Sequence, residues 1–591
     1  MHSLKRDFAA NSGLLNIAML AAVVGALGTP TAWVLLKLIY FFTNLFFYQT
    51  FSFALRSPAN NHLGLWVIAM PVIGGLIVGV MARFGSDKIR GHGIPEAIEA
   101  ILFGKSRMSP KVAVLKPISS GIVIGSGGPF GAEGPIIMTG GAIGSLIAQH
   151  FKLTAAERKT LLVAGAGAGM TAIFGTPVAA VLLAVELLLF EWRPRSLLPV
   201  IVACSVADFT RVFVFEAGPL FPLQTGTLGI AALGSCVIAG LLGGGLSALM
   251  TGALHKIENV FEKLPVHWMW WPAIGGVLVG VGGYLQPRAL GVGYDVIADL
   301  LNAHLAVSSA LALLVVKAII WSIALGSTTS GGVLAPLLMI GAGLGTVLAP
   351  VLPGGGAHLW PLVCMAAVLA GVLGAPLTAT IFSLELTHDV NALLPLLLAT
   401  GISYGLTVLT MKRSIMTEKI ARRGFHIYRE YGVDPLERQY VEDVMTREVQ
   451  CVPATLTIGQ ALAEYFGAQQ VHRAYPVVDG ERHVIGMLDR ATLLKQQNHE
   501  ATVRTLYGAN PPLVALPDET CRQVAARLAT HTLERLPVVE RAGSTRLIGI
   551  VARSDLITPS RTWIDEEQKR ERLIGHAAMR WRRRKPTEKS V

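Results

Sequence analysis

The sequence predicts an α-helical polytopic membrane domain, duplicated within one chain, followed by a soluble α/β module that is also present twice. Three observations predict it. Of 591 residues, 52% are apolar and only 15% charged, against about 25% charged in soluble proteins. The charge is unevenly placed: residues 14–410 hold 34 Asp, Glu, Lys and Arg, whereas residues 411–591 hold 51 of the 88. Lipid is therefore the solvent of the first part and water of the second. Thirdly, blocks of sequence recur at fixed spacing in both parts. A collagen, a disordered chain and a small secreted domain are excluded. The five cysteines show neither CxxC pairing nor regular spacing, which speaks against a disulfide framework or structural zinc.

Residues 1–13 are read as a short N-terminal cytoplasmic segment and residues 14–424 as the membrane domain. Apolar stretches recur at 14–38, 63–81, 161–190, 196–215, 226–250, 269–284, 305–325, 359–384 and 392–410. Most can span ~30 Å of hydrocarbon at about 1.5 Å per residue. The first is long for a signal peptide and no small-residue cleavage site follows it, so no cleavable leader is read. Residues 121–141 and 326–345 are rich in Gly and Pro, too apolar for aqueous loops and too broken for plain helices. Irregular backbone at membrane depth is tolerated only where it is buried in protein or lines a polar cavity, which points to a permeation pathway.

The repeat is explicit. Gly125-Ser126-Gly127-Gly128-Pro129-Phe130-Gly131-Ala132-Glu133-Gly134-Pro135 aligns with Gly326-Ser327-Thr328-Thr329-Ser330-Gly331-Gly332-Val333-Leu334-Ala335-Pro336 at an offset of 201. Phe174-Gly175-Thr176-Pro177, with Glu186, aligns with Leu373-Gly374-Ala375-Pro376, with Glu385, at an offset of 199. Duplicated transporters bind substrate where broken helices of the two repeats meet near the midplane. A helix that opens at Gly-Pro or Ala-Pro begins with unpaired N–H donors and partial positive charge. Several such ends aimed at one place form an anion site without lysine or arginine. The candidates are Gly91-His92-Gly93-Ile94-Pro95, Gly131-Ala132-Glu133-Gly134-Pro135 and Gly332-Val333-Leu334-Ala335-Pro336. A cation site would need clustered membrane carboxylates, and Glu133, Glu186 and Glu385 stand singly.

These three motifs, in this order and inside a repeated membrane domain, resemble the GSGIP, G(K/R)EGP and GxFxP motifs of the CLC family of chloride channels and anion/proton exchangers. The resemblance covers about residues 14–424 and extends into the soluble half. It implies two inverted repeats per subunit, an anion pathway within each subunit, and a homodimer with two pores. Glu133 matches the gating glutamate: a carboxylate at a helix N-terminus can fill the place of an anion until protonation or anion binding displaces it. Four positions depart from the family pattern. His92 stands in place of an anion-coordinating Ser, Ala132 in place of a basic residue, and Leu334 in place of Phe. Met416, in Arg413-Ser414-Ile415-Met416-Thr417, takes the place of a coordinating Tyr. Imidazole can donate one hydrogen bond, or two when protonated, but Met cannot donate one. Both side-chain hydroxyl ligands are thus missing and the site is expected to be mostly backbone.

In many exchangers of this family an inner glutamate lies ten residues beyond the proline matching Pro177. Leu187 occupies that position here, which favours channel mode, with a proton-coupled exchanger of chloride, fluoride or another anion as the alternative. Glu186 and Glu385 are read as structural helix acids.

Residues 425–440 are read as a linker. Beyond it, Tyr475-Pro476-Val477-Val478-Asp479 leading to Ile485-Gly486-Met487-Leu488-Asp489-Arg490 is echoed by Leu536-Pro537-Val538-Val539-Glu540 leading to Ile548-Gly549-Ile550-Val551-Ala552-Arg553. Each strand-like run follows an amphipathic helix, at 458–466 and 521–530. The pattern resembles a tandem CBS pair, at 441–494 and 502–557. Such pairs can bind adenine nucleotides, and Asp555 and Thr492 fall at the ribose-binding position. The hydroxyl-bearing position holds Ala552 and Asp489 instead, so a structural dimerisation module is the preferred reading and nucleotide the alternative. No cofactor is required and no metal-ligand spacing is present.

The basic tail, 558–591, carries Arg580, Arg582, Arg583, Arg584 and Lys585. Such a cluster near a membrane usually marks the cytoplasmic side rather than a nucleic-acid partner, with a solvated, disordered tail end as the preferred plainer reading of the run itself. The expectation is a multi-pass protein of the plasma (inner) membrane, with CBS domains and C-terminus cytoplasmic, acting on small anions and not an enzyme. A membrane metalloprotease would need HExxH, which the sequence lacks. A CBS-containing divalent-cation transporter is disfavoured by the scattered carboxylates.

Overall fold

The computed structural model describes residues 13–104, 106–226, 229–423, 435–467, 470, 472–508 and 512–557. They form two compact units, residues 13–423 and residues 435–557. The basic tail, most of the linker and nearly all of the predicted N-terminal segment lie outside the described residues.

The first unit is helical and contains the same eight-helix series twice. The first series is α1 Gly13–Tyr48, α2 Ala69–Phe84, α3 Ile94–Leu102, α4 Pro110–Gly125, α5 Glu133–Gln149, α6 Ala155–Phe174, α7 Pro177–Leu183 and α8 Pro194–Arg211. The second is α9 Ile230–Glu262, α10 Trp271–Leu285, α11 Tyr294–Leu301, α12 Val307–Gly326, α13 Leu334–Leu348, α14 Leu359–Leu373, α15 Pro376–Thr387 and α16 Leu393–Thr410, followed by α17 Ile415–Arg422. Packing follows the repeat: α1 lies on α6 and α8, and α9 on α14 and α16; α5 lies on α6, and α13 on α14. Among the described residues five helical segments are long and apolar enough to cross a bilayer, Gly13–Tyr48, Gly64–Phe84, Ile230–Glu262, Val307–Gly326 and Val390–Arg422.

Two stretches that read as single spans are broken. Residues 161–190 turn at Gly175 (φ 64°) and residues 359–384 at Gly374 (φ 66°). Each glycine closes one helix in the left-handed conformation, and Pro177 or Pro376 opens the next. The left-handed end suits glycine and the first helical turn tolerates proline, so hydropathy alone overlooks both breaks.

The repeats meet through reciprocal contacts. Gly131 and Gly332 exchange backbone hydrogen bonds in an antiparallel bridge, with N···O of 3.1 and 2.9 Å. A Cβ at Gly75 would lie 2.5 Å from the Pro272 carbonyl, and one at Gly276 would lie 2.7 Å from the Pro71 carbonyl. Glu186, in a π-helical turn after α7, accepts from the Thr378 N–H (2.7 Å) and hydroxyl (2.6 Å) and the Leu377 N–H at the start of α15. Glu385 returns this by accepting from Val178 and Ala179 N–H (3.0 and 2.8 Å) at the start of α7. Each repeat thus lends a carboxylate to the positive helix end of the other. Glu186→Ala leaves the Thr378 donors without their acceptor. Buried orphan donors cost about 1–3 kcal/mol each, so the thermal unfolding midpoint of the purified protein in detergent is expected to fall by several degrees.

The second unit is the α/β module. Strands β1 Val452–Pro453, β2 Ala474–Val478 and β3 Val484–Asp489 form one sheet, β1 parallel and β3 antiparallel to β2; β4 Arg535–Val539 and β5 Leu547–Ala552 form an antiparallel pair. Both antiparallel pairs shift register at the same place, after Val477 and after Val538. The copies exchange their opening segments. Val441 packs in the core of the second copy and Thr446 bridges to Ile550, whereas Val503 packs in the core of the first. Gly486 and Gly549 make room for this: a Cβ there would meet the Tyr507 ring at 2.2 Å and the Met445 sulfur at 2.7 Å.

Candidate functional site

The three predicted motifs come together where the repeats meet. Gly93 (φ 87°) opens α3, and a Cβ there would stand 2.9 Å from the Gly134 carbonyl. A Cβ at Gly134 would in turn fall 1.9 Å from the His92 carbonyl and 3.2 Å from the Gly332 Cα. Glycine is required at these positions because backbones approach there without room for a side chain. The starts of α3, α5 and α13 are therefore in direct contact. Gly91, Ile94, Pro95, Ala132, Pro135, Val333, Leu334, Ala335 and Pro336 are all buried around this junction.

Glu133, the first residue of α5, is fully buried. Its carboxylate crosses to the other repeat, where Oε1 accepts from the Ala335 N–H at 3.0 Å. It fills the gap that side chains at Gly131 and Gly332 would close, since a Cβ at either would lie within 2.4 Å of the carboxylate. Oε2 has no hydrogen-bond partner. A negative group thus sits at the N-terminus of α13, where helix dipole and unpaired amides favour an anion.

On one side of this junction His92 is buried, with its Nδ1 unpartnered. Met416 is fully buried in the first turn of α17, and its neighbour Ile415 shares with Gly91, His92, His255 and Lys419 a pocket of about 30 Å³. That pocket shares Glu258, Thr328 and Lys419 with a wider cavity of about 530 Å³, walled also by Arg90, Arg422, Arg423, Asp87 and Glu262. Ion pairs of Lys419 with Glu96 and of Arg423 with Glu99 tie α17 to α3. Leu187, at the predicted inner coupling position, is fully buried in the π-helical turn, which packs on α3. In the second unit, Asp555 accepts from the Ala552 N–H at 2.8 Å, and the Thr492 N–H donates to Asp489 at 2.6 Å. Each candidate nucleotide residue is thus engaged in a local turn.

Sequence reasoning missed a further pair. Lys116 and Lys317 stand at the repeat offset of 201 and both are fully buried. Lys116 Nζ donates to the carbonyls of Ile89 (2.9 Å) and Gly91 (2.7 Å) and to the Ser330 hydroxyl (3.0 Å). Lys317 Nζ donates to the carbonyls of Ala289 and Gly291, both at 2.9 Å. The two lysines mark a fourth motif, Gly291-Val292-Gly293-Tyr294-Asp295, as the repeat mate of Gly91-His92-Gly93-Ile94-Pro95. Glycines 91, 93, 291 and 293 all have positive φ. Lone lysines in apolar helices at matching repeat positions were the available signal.

Broken helices from two inverted repeats, meeting end to end around a buried carboxylate, define a membrane permeation domain. Residues 73–408 match the family described as voltage gated chloride channel, and residues 441–499 and 504–559 each match the CBS domain. The chain belongs to the voltage-gated chloride channel (CLC) family. A provisionally named ClcB-like chloride channel protein of Ralstonia nicotianae is 29% identical over 370 residues, covering 60% of this chain and 85% of that protein. The H+/Cl− exchange transporter ClcA of Klebsiella pneumoniae is 27% identical over 403 residues, covering 65% and 84%. The crystal structure of a slow cyanobacterial Cl−/H+ antiporter superposes with a TM-score of 0.61 at 21% identity, covering 70% of this chain and 98% of that one. The protein is thus a polytopic CLC-type anion transporter with a CBS pair.

Proposed function

We propose that this protein moves chloride across the inner membrane in exchange for protons, with Glu133 as both gate and proton acceptor. The observation that carries this is the Glu133 carboxylate at the N-terminus of α13, bonded to the Ala335 N–H at 3.0 Å and filling the space between Gly131 and Gly332. An anion taking that place must displace it, and a proton neutralises it. The relative at 27% identity that is named an H+/Cl− exchange transporter supports the exchange reading. Channel mode is the second reading, favoured by the apolar Leu187 at the inner coupling position.

The decisive experiment is chloride efflux from liposomes holding the purified protein, with proton movement followed simultaneously. Protons driven uphill by a chloride gradient establish exchange; chloride flux without linked protons establishes a channel. Absence of chloride flux overturns both.

The backbone amides of α3, α5 and α13 and the His92 ring form the proposed anion site, with Met416 at its edge. His92→Ser replaces the imidazole by a hydroxyl at a position that lines the small pocket beside the junction. The expected result is a rise of about three- to tenfold in chloride flux relative to fluoride or nitrate, the scale of one hydrogen bond. An unchanged selectivity series would assign His92 to packing.

The CBS pair is proposed to lie on the cytoplasmic side and to act in dimerisation, with the protein working as a homodimer of two independent pathways. An adenine nucleotide at Asp555 and Thr492 is the alternative role for that module.

A further inference from the structure

A Gly-x-Gly loop presents as many carbonyl oxygens as amides, and only the amides attract an anion. A site built from backbone therefore needs a group that holds the carbonyls elsewhere. An ammonium suits that task, because it carries three donors and no acceptor. Lys116, on α4, does this for the loop before α3. It is fully buried, and its bonds all go to neutral oxygens: the Ile89 carbonyl at 2.9 Å, the Gly91 carbonyl at 2.7 Å and the Ser330 hydroxyl at 3.0 Å.

The peptide bond between Gly91 and His92 is trans, so its C=O and N–H point in opposite directions. With the Gly91 carbonyl turned to Lys116, the His92 N–H faces away from the lysine. Among the described residues neither that N–H nor the Gly93 N–H makes a hydrogen bond, whereas the Gly91 N–H donates to the Thr328 carbonyl at 3.0 Å. The His92 carbonyl abuts Gly134 at the start of α5. The loop is thus held on both sides of Gly91 and leaves two adjacent donors free where α3 meets α5.

Ser330 carries the grip into the other repeat, just before the Gly332 that bridges to Gly131. Its hydroxyl lies 3.2 Å from Ser119 Oγ and 3.1 Å from Ser120 Oγ, and Ser119 Oγ donates to the Lys116 carbonyl at 3.0 Å. Lys116 can only donate and the Ser119 proton is already engaged. Ser330 therefore accepts from Lys116 and Ser120 and donates to Ser119, which satisfies every member of the network. Lys317 holds the Ala289 and Gly291 carbonyls in the same way, but Pro129 occupies the repeat position of Ser330. Of the two lysines, Lys116 alone bonds to the opposite repeat.

We propose that Lys116 is a positioning residue of the anion site. It does not touch the anion. It turns the carbonyls of the loop before α3 away from the pathway, leaves the His92 and Gly93 amides to face it, and locks that loop to the segment leading into α13. This rests on the reading of these helix starts as the anion site.

The test uses the full chain in liposomes and measures chloride flux against chloride concentration. Its reference is Glu133→Gln, in which no carboxylate competes with the anion; Lys116→Met and Ser330→Ala are each added to it. Lys116→Met keeps the side-chain length and removes all three donors, so the Gly91 carbonyl is free to turn inward. The chloride KM is expected to rise about ten- to hundredfold, the scale of a hydrogen bond from a charged donor, with maximal flux changing by less than about threefold. Ser330→Ala keeps the charge and both loop bonds but loosens the tie to α13, and its KM is expected to rise about threefold. A raised KM in Lys116→Met with an unmoved KM in Ser330→Ala assigns the effect to the charge and overturns positioning. An unmoved KM in both, with lowered maximal flux, makes the lysine a support of the fold and overturns it as well. Should Lys116→Met fail to fold, the KM of Ser330→Ala decides alone. Flux that does not saturate with chloride in the Glu133→Gln reference overturns the anion site itself, and positioning with it.

Discussion

Glu133→Gln abolishes the pH dependence of anion flux and uncouples it from protons. The substitution is nearly isosteric, so the α5 helix and the Gly131–Gly332 bridge are undisturbed; what changes is charge. A glutamine amide cannot take up a proton, and its neutral oxygen binds the α13 N-terminus less strongly than a carboxylate does. Hydrogen bonds to a charged acceptor are worth roughly 1.5–3 kcal/mol against about 1 for neutral pairs. An incoming anion therefore displaces the neutral side chain more readily, and flux near neutral pH rises by about tenfold. In the wild-type protein, falling pH neutralises the carboxylate and releases it, so flux increases as pH drops. In the variant the profile is flat. Parallel recordings of chloride and proton movement over pH 4–8 check this, and a variant that retains the full pH profile would count against Glu133 as the gate.

Gly134→Ala is expected to eliminate transport even though it adds a single methyl. The new Cβ would lie 1.9 Å from the His92 carbonyl and 3.2 Å from the Gly332 Cα, and neither neighbour is a flexible side chain. Overpacking in a dense interior costs about 1–3 kcal/mol, here concentrated where the starts of α3, α5 and α13 touch. Relief requires separating helix ends whose common approach creates the proposed anion site. Purified Gly134→Ala protein is expected to show a lowered unfolding midpoint and less than about a tenth of wild-type chloride flux. Gly245→Ala, at a position with nothing within 4 Å of the added carbon, is the matched control and retains normal flux.

Much of this architecture was legible in the sequence because it is carried by backbone chemistry. Gly and Pro at matching offsets mark where helices break, and the strings around Glu133 and Leu334 announce two of the ends that meet. Hydropathy was a poorer guide, since it merges α6 with α7 and α14 with α15 across glycines that the local conformation reverses. The Gly291–Asp295 motif escaped notice because its repeat mate has Pro95 where it has Asp295, and a proline-based search skips it. The exchange of opening segments between the CBS copies left no pattern in either copy. Its trace is only Gly486 and Gly549, whose missing side chains make room for residues that arrive from the other half.

The reciprocal carboxylates have a mechanical consequence. Glu186 grips the head of α15 while Glu385 grips the head of α7, and the paired glycines of α2 and α10 interlock against prolines of the opposite helix. Two halves fastened symmetrically at such points cannot rock past one another without breaking several hydrogen bonds at once. The stroke of the proposed mechanism is accordingly short: the scaffold is a clamped frame, and the proposed gate travels as one glutamate side chain.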